Sequence, residues 1–200
     1  TYNVKKTMLS LPIGVRQTDR LMENLSDISG LPLPGKLAAE RGRLIDAYID
    51  GHKYVFGKKA AIYGEADFIC AMASFLEEIG MVPVVCATGA KAADLKKTMT
   101  GLMENPHSEM QVIDDTDFAS LEGICRESGV EILIGNSKGY WLSRKLEIPI
   151  VRVGFPVHDR IGGQRIAHLG YAGAQQLFDR IANALIEQKQ ESSEIGYSYM

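Results

Sequence analysis

Two hundred residues carry 22 basic and 25 acidic side chains for a formal charge of −3, and 46% of them are hydrophobic. Such a chain can bury a sizeable core in one large domain, and its slight negative charge provides no long-range attraction for nucleic acid or an anionic membrane surface. No apolar run approaches the roughly 20 residues that span a bilayer, and Cys70, Cys86 and Cys125 fit neither a disulfide framework nor CxxC metal spacing. Reduced, buried thiols in a cytoplasmic protein are therefore expected. The opening Thr1, where a methionine would start a complete product, points to a piece cut from something longer.

In chain order, residues 15–28 and 36–54 read as helices joined by the turn-rich GLPLPG of residues 30–35. KAAIY, residues 59–63, is a first strand ending at Gly64. Residues 66–79 follow as a helix with Phe68, Ile69, Met72, Phe75, Leu76 and Ile79 at helical spacing, closed by Gly80. MVPVVCA, residues 81–87, is a second strand whose ladder Pro83 should delay. A helix over residues 92–103 stops at Asn105 and Pro106; MQVI at 110–113 is the third strand, and Asp114, Asp115 and Asp117 are good caps for a helix at 118–127. VEILI at 130–134, the glycine-bounded loop GNSKG at 135–139, a short helix to Leu146 and IVRV at 150–153 complete the rhythm, before a long amphipathic helix over 173–188.

Five short strands separated by helices predict an α/β fold: a Rossmann-like, doubly wound, mostly parallel five-stranded sheet with flanking helices. Residues 1–57 are expected to be a helical extension packed on the sheet domain of 58–188. The polar tail of 189–200, ending in Tyr197, Ser198, Tyr199 and Met200, is expected to be an arm laid on a neighbour or disordered.

The most unusual chemistry lies in ERGRLIDAYIDGH, residues 40–52. Asp46 and Asp50 stand one helical turn apart and point the same way. Two like charges at this spacing repel by a few tenths of a kcal/mol when exposed and unpaired. The pair is either an ordinary solvated helix face, relieved by Arg43, or a contact to a divalent cation or a basic group of another chain.

Open sheets bind ligands beyond the carboxyl ends of their strands. The loops there, at 64–67, 88–91 and 135–140, lack GxGxxG and Walker A patterns, which disfavours a dinucleotide; their glycines either make turns or touch a ligand. In VRVGFPVHDRIGG, residues 151–163, His158, Asp159 and Arg160 follow the last strand. No Ser or Cys at a familiar spacing accompanies them, so a salt-linked loop at a subunit boundary is expected rather than proton transfer. His168 reads as a packed or hydrogen-bonded histidine, and His52 and His107 have no ligand companions, so the four histidines define no zinc site.

LPIGVRQTDRLM at 11–22, ERGRLIDAYIDGH at 40–52, GKKAAIYGEADF at 57–68, IGNS at 134–137, VRVGFPVHDR at 151–160 and LGYAGA at 169–174 occur together and in order. In this the chain resembles the C-terminal domain of nitrogenase component 1 proteins, on the side of the molybdenum–iron protein β chain, across nearly its whole length. The resemblance implies the last of three Rossmann-like domains in a β-like chain that pairs with an α-like chain and a second β chain as an α2β2 tetramer. That tetramer receives electrons from a separate iron protein for ATP-dependent reduction of dinitrogen to ammonia. It further implies a P cluster at the α/β interface and an iron–molybdenum cofactor within α, both in the full complex, with no cofactor expected in this piece, which alone should be inactive.

The β-side cluster ligands of the family lie in its N-terminal part, and Cys70, Cys86 and Cys125 match none of them. Asp46 and Asp50 match an aspartate pair that contributes to a divalent cation site between β subunits. Two alternatives remain. Ile161, Gly162 and Gly163 stand where catalytic β chains often continue with histidines, which leaves a scaffold subunit for iron–molybdenum cofactor assembly open; the other is a stand-alone Rossmann-like ligand-binding domain.

Overall fold

Alternation along the first strand decides which helices cover which face of the sheet. In the computed structural model, which describes residues 6–195, strand β1 (Lys59–Tyr63) turns Ala60 and Ile62 to one hydrophobic core and Ala61 and Tyr63 to the other. Strands β2 (Val82–Ala87), β3 (Gln111–Ile113), β4 (Ile132–Gly135) and β5 (Ile150–Arg152) join it in the order β3-β2-β1-β4-β5, every neighbouring pair parallel. The chain therefore winds outward from β1 through β2 to β3, then returns to β4 on the other side, with the reversal point between β1 and β4. This is the doubly wound sheet that the strand rhythm predicts.

Helices α3 (Ala66–Glu78) and α4 (Leu95–Leu102) cover one face, and α5 (Phe118–Glu127) and α6 (Tyr140–Leu146) the other. Every residue of α3 from Phe68 to Leu76 is buried, because α1 (Gly14–Ser29), α2 (Gly35–Val55) and α7 (Gly170–Glu191) form a further layer on that side. Each fully buried Phe, Ile or Leu in such a layer stabilises by about 1.5–3 kcal/mol, so this double layer is the larger share of the core.

The Glu78 carboxylate joins both α1 and α2 to α3. Glu78, at the end of α3, accepts the backbone N–H of Val15 at 2.6 Å and of Arg16 at 2.8 Å, and the Tyr48 hydroxyl of α2 at 2.9 Å. An anion at a helix start satisfies orphan amides and complements the helix dipole. It fits only because residue 14 is glycine, at φ +84°, where a Cβ would lie 2.6 Å from Glu78 Oε1. Burial nevertheless outweighs these hydrogen bonds and leaves the Glu78 carboxyl above its ordinary pKa.

Several boundaries differ from the sequence expectation for identifiable reasons. Helix α4 starts at Leu95 rather than at residue 92: the Leu95 N–H closes a tight turn on Ala92 O at 2.9 Å, and the Thr98 N–H then bonds Asp94 O in helical fashion at 2.9 Å. Pro83 does not delay β2, which begins at Val82; the ladder instead slips between Ala60 and Ala61, whose partners are Pro83 and Val85. Helix α7 is longer at both ends than 173–188, starting where the Gly170 N–H donates to Pro12 O at 2.8 Å and running through Glu191 into the expected tail. Of the three aspartates at 114–117, Asp117 is the cap of α5, accepting from Ser120 N at 2.8 Å. Tyr197 to Met200 lie outside the described residues.

Candidate functional site

The seam between α2 and α7 holds the aspartate pair. Asp46 and Asp50 are exposed on one face of α2, a turn apart, and both line an open groove of about 470 Å³ together with Arg43, Gln175, Asp179 and Asn183. Arg43 makes no ion pair with either carboxylate among the described residues. Arg41, two positions earlier, is instead spent on Asp19, which accepts from its Nε and Nη2 at 2.9–3.0 Å. That forked hydrogen bond, aided by the charge of Asp19, raises the Arg41 pKa further. Tyr171 of α7 donates to the same aspartate at 2.7 Å, so Asp19 joins α1, α2 and α7. Asp179, across the groove, has its carboxyl pushed up by burial.

The seam is narrow at Gly51, where a Cβ would lie 2.5 Å from Phe178 Cε1 and Cζ. Phe178 in turn packs at 5.1 Å, ring centroid to centroid, on Tyr48. Tight packing under the groove fixes the two aspartates on a rigid helix while leaving their carboxylates to solvent. Chemically, the pair offers oxygen donors for a hard cation or a cationic side chain. No three His, Cys, Asp or Glu side chains converge for a metal among the described residues.

At the carboxyl ends of the strands a cleft of about 480 Å³ lies over β1, β2 and β4, lined by Glu65, Thr88, Asp117, Asn136 and Lys138. Its loops bond mostly to themselves. Tyr63 Oη donates to Asn136 O at 2.6 Å, Asn136 Oδ1 accepts from Lys138 N at 3.0 Å, and Thr88 Oγ1 accepts from Ala90 N at 3.3 Å. Gly135 and Gly139 are required by Tyr63, whose ring and carbonyl occupy the space a Cβ would need. Both glycines thus serve close packing at the turn.

The charged trio after β5 is salt-linked, as expected. Arg152 Nε donates to both oxygens of Asp159, at 2.7 and 3.0 Å, and Arg160 lies 3.5 Å from the same carboxylate. Two partners escape sequence reasoning. Ser137 Oγ is 3.2 Å from His158 Nδ1 and also donates to Pro156 O at 3.1 Å, so the histidine does have a serine beside it. Ser137 is buried and committed to that carbonyl, an anchoring role for the loop. Arg180 of α7 reaches the exposed side of β5 and donates through Nη2 to Arg152 O. Among the described residues, the buried atoms Arg152 Nη2 and Arg180 Nη1 are left without a partner, a condition that costs about 1–3 kcal/mol or more per group. His168 Nδ1 lies 3.1 Å from Ile166 O and its ring stacks edge-on to Phe68, the hydrogen-bonded packing expected of it.

The three thiols are buried and unbridged. Cys70 and Cys86 belong to the core on the α3 face, Cys125 to that on the α5 face. Burial pushes Cys70 and Cys125 up to about 11 and Cys86 higher still, the opposite of what a nucleophilic or metal-ligating thiolate needs.

With this geometry in hand, the comparisons with known proteins converge on one class. Residues 1–186 match the family model described as nitrogenase component 1 type oxidoreductase. Curated nitrogenase molybdenum-iron protein beta chains are 36% identical over 95% of this chain in Methanothermobacter thermautotrophicus, 35% over 90% in Clostridium pasteurianum and 32% over 96% in Azotobacter vinelandii. The chain spans about two fifths of the length of these relatives, 41%, 40% and 39% respectively. A solved structure described as "Nitrogenase Cp1 at pH 6.5" superimposes with a TM-score of 0.90 at 32% identity, covering 97% of this chain and 43% of that one. The chain belongs to the nitrogenase component 1 type oxidoreductase family, and the curated relatives it resembles in sequence are beta chains.

Proposed function

We propose that the chain is the C-terminal domain of a nitrogenase molybdenum–iron protein β-like subunit, serving ATP-dependent reduction of dinitrogen to ammonia in a complex with an α-like chain, a second β chain and an iron protein donor. The observation that carries this reading is the sequence agreement of nearly the whole chain with β chains, supported by its backbone agreement with a solved nitrogenase structure. The domain's own part is structural: it presents rigid surfaces and leaves the redox chemistry to other parts of the assembly.

The residues present do not fit an iron–sulfur cluster. The three cysteines are buried on opposite faces of a sheet with thiols held protonated, and no group of three potential ligands forms among the described residues. The P cluster and iron–molybdenum cofactor of the full complex therefore belong, in this reading, to other domains. Asp46 and Asp50 do fit half of a divalent cation site between β subunits: two exposed carboxylates on one rigid face, with the remaining ligands coming from a second chain.

The test is to purify the full-length product with its neighbouring partner and a matched iron protein, then measure iron content and acetylene reduction. Cluster content with reduction supports the catalytic β reading. Cluster content without reduction identifies a cofactor-assembly scaffold, a reading favoured by the fully exposed Ile161 and the following Gly162 and Gly163, where catalytic β chains often carry histidines. In the same complex, Asp46→Asn with Asp50→Asn is expected to lower calcium or magnesium content and loosen the tetramer on native mass analysis; unchanged metal and assembly refute the cation role.

A further inference from the structure

Arg152 and Arg180 combine burial, positive charge and missing partners in one place. The Arg152 side chain is 9% exposed, its Nε is held by Asp159, and its guanidinium carbon lies 5.7 Å from the centroid of the Tyr140 ring. Arg180 is close enough that burial and the charge of Arg152 together lower its pKa. Three arginines, counting Arg160, gather at this strand end, and Asp159 is the carboxylate ion-paired with two of them. One nitrogen on each of Arg152 and Arg180 has no acceptor.

Beside them, between α6, β5 and α7, is a cavity of about 650 Å³ lined by Arg144, Arg152 and Arg160. A guanidinium immobilised by an ion pair at Nε and by a ring holds its remaining donors in one fixed plane, which suits a carboxylate in geometry and charge once the side chain turns Nη2 from its buried position toward the cavity. Glu147, Glu187 and Glu191 also line the cavity, and none of them pairs with these arginines among the described residues. Their charge repels a polyanion such as a nucleotide or a polyphosphate more strongly than it repels a single carboxylate.

We propose that the cavity beside β5 is a carboxylate-binding site, in which Arg152 is the principal ligand and Arg160 the outer one. The carboxylate comes either from a free small acid or from an Asp or Glu side chain of a neighbouring polypeptide, and the chemistry at the arginines is the same.

Trp141, the chain's single tryptophan, is 74% exposed and its ring lies 5.4 Å from that of Tyr140, so its fluorescence reports on this cavity. The chain is titrated with sodium acetate and, in a second arm, with N-acetylglutamate α-amide, each against sodium chloride at matched ionic strength. A saturable fluorescence change with carboxylate and not with chloride is expected. It weakens about tenfold or more in Arg152→Gln, the loss of a charge-assisted contact. Arg160→Gln, at the exposed rim, keeps the fold and weakens binding less, which keeps the test decisive if Arg152→Gln unfolds. Tighter binding of the blocked glutamate assigns the site to a polypeptide side chain, and tighter binding of acetate to a free acid. No saturable response to either carboxylate, or a response unchanged in Arg160→Gln, overturns the proposal.

Discussion

Gly51→Ala tests whether the α2–α7 seam depends on backbone proximity. In a helix interior the change should help, since alanine is favoured over glycine by about 1 kcal/mol. Here the new methyl would lie 2.5 Å from Phe178 Cε1 and Cζ, about 1 Å inside ordinary carbon–carbon contact. The ring cannot simply swing away: it is 2% exposed and lies against Tyr48, which also holds Glu78. Overpacking of this kind costs about 1–3 kcal/mol, so the net loss is about 1 kcal/mol, up to about 2. For a chain of this size that lowers the thermal midpoint by about 2–8 °C.

Circular dichroism melts of Gly51→Ala, Phe178→Leu and the double variant provide the measurement. The double variant should be more stable than the summed single losses by about 1 kcal/mol, because the smaller side chain makes room for the methyl. Gly42→Ala, on the exposed side of the same helix with nothing within 4 Å of its Cβ, is the control and should stabilise by up to about 1 kcal/mol. A Gly51→Ala chain that melts at or above the parent temperature refutes the argument.

The adjacent glutamates Glu77 and Glu78 should act with opposite sign on acid stability. Burial opposes ionisation of Glu77, but the hydrogen bond from Arg16 at 2.7 Å and the amides of Asn105 and Glu104 outweigh it and hold its pKa below the ordinary value. Its stabilisation is present above the unfolded-state pKa and is lost as pH falls through the lower folded-state pKa. Glu78 has a raised pKa, so its ionisation disfavours the fold as pH rises, and its protonation on acidification partly offsets the loss at Glu77. Urea midpoints between about pH 6 and about pH 3 should therefore vary less in Glu77→Gln and more steeply in Glu78→Gln than in the parent; parallel profiles refute the assignment. The three buried cysteines, with thiols pushed up by burial, should react with a thiol reagent at the rate of opening of the fold and faster in proportion as urea is added. A fast stoichiometric reaction of the native chain contradicts their burial.

Much of the sheet was legible because local pattern and tertiary environment agree. KAAIY between Lys58 and Gly64 is short, apolar and bounded by a turn residue, and it became the central strand. ERGRLIDAYIDGH showed by spacing alone that Asp46 and Asp50 share a face, and the helix there holds them on one. The partners of the charged groups were not legible, since period and composition carry no information about pairs far apart in sequence. Arg41 lies in the same run as the aspartate pair and is bound to Asp19, 22 positions away; His158, with no Ser at a familiar spacing, meets Ser137, 21 positions away. Nothing in the amphipathic pattern of α7 marks Arg180 as the residue that caps a strand carbonyl. The start of α4 differs for a local reason, a tight turn closed by the Leu95 N–H on Ala92 O ahead of the helix.

The hydrogen bond from Tyr171 to Asp19 joins residues 152 positions apart, and this has a consequence for synthesis. On the ribosome, α1 and α2 emerge well before α7, yet the core they share with α7 is complete only after that closing helix has been translated. At ordinary elongation speeds that interval is on the order of ten seconds. During it the nascent polypeptide leaves apolar helix faces uncovered, a surface prone to aggregation.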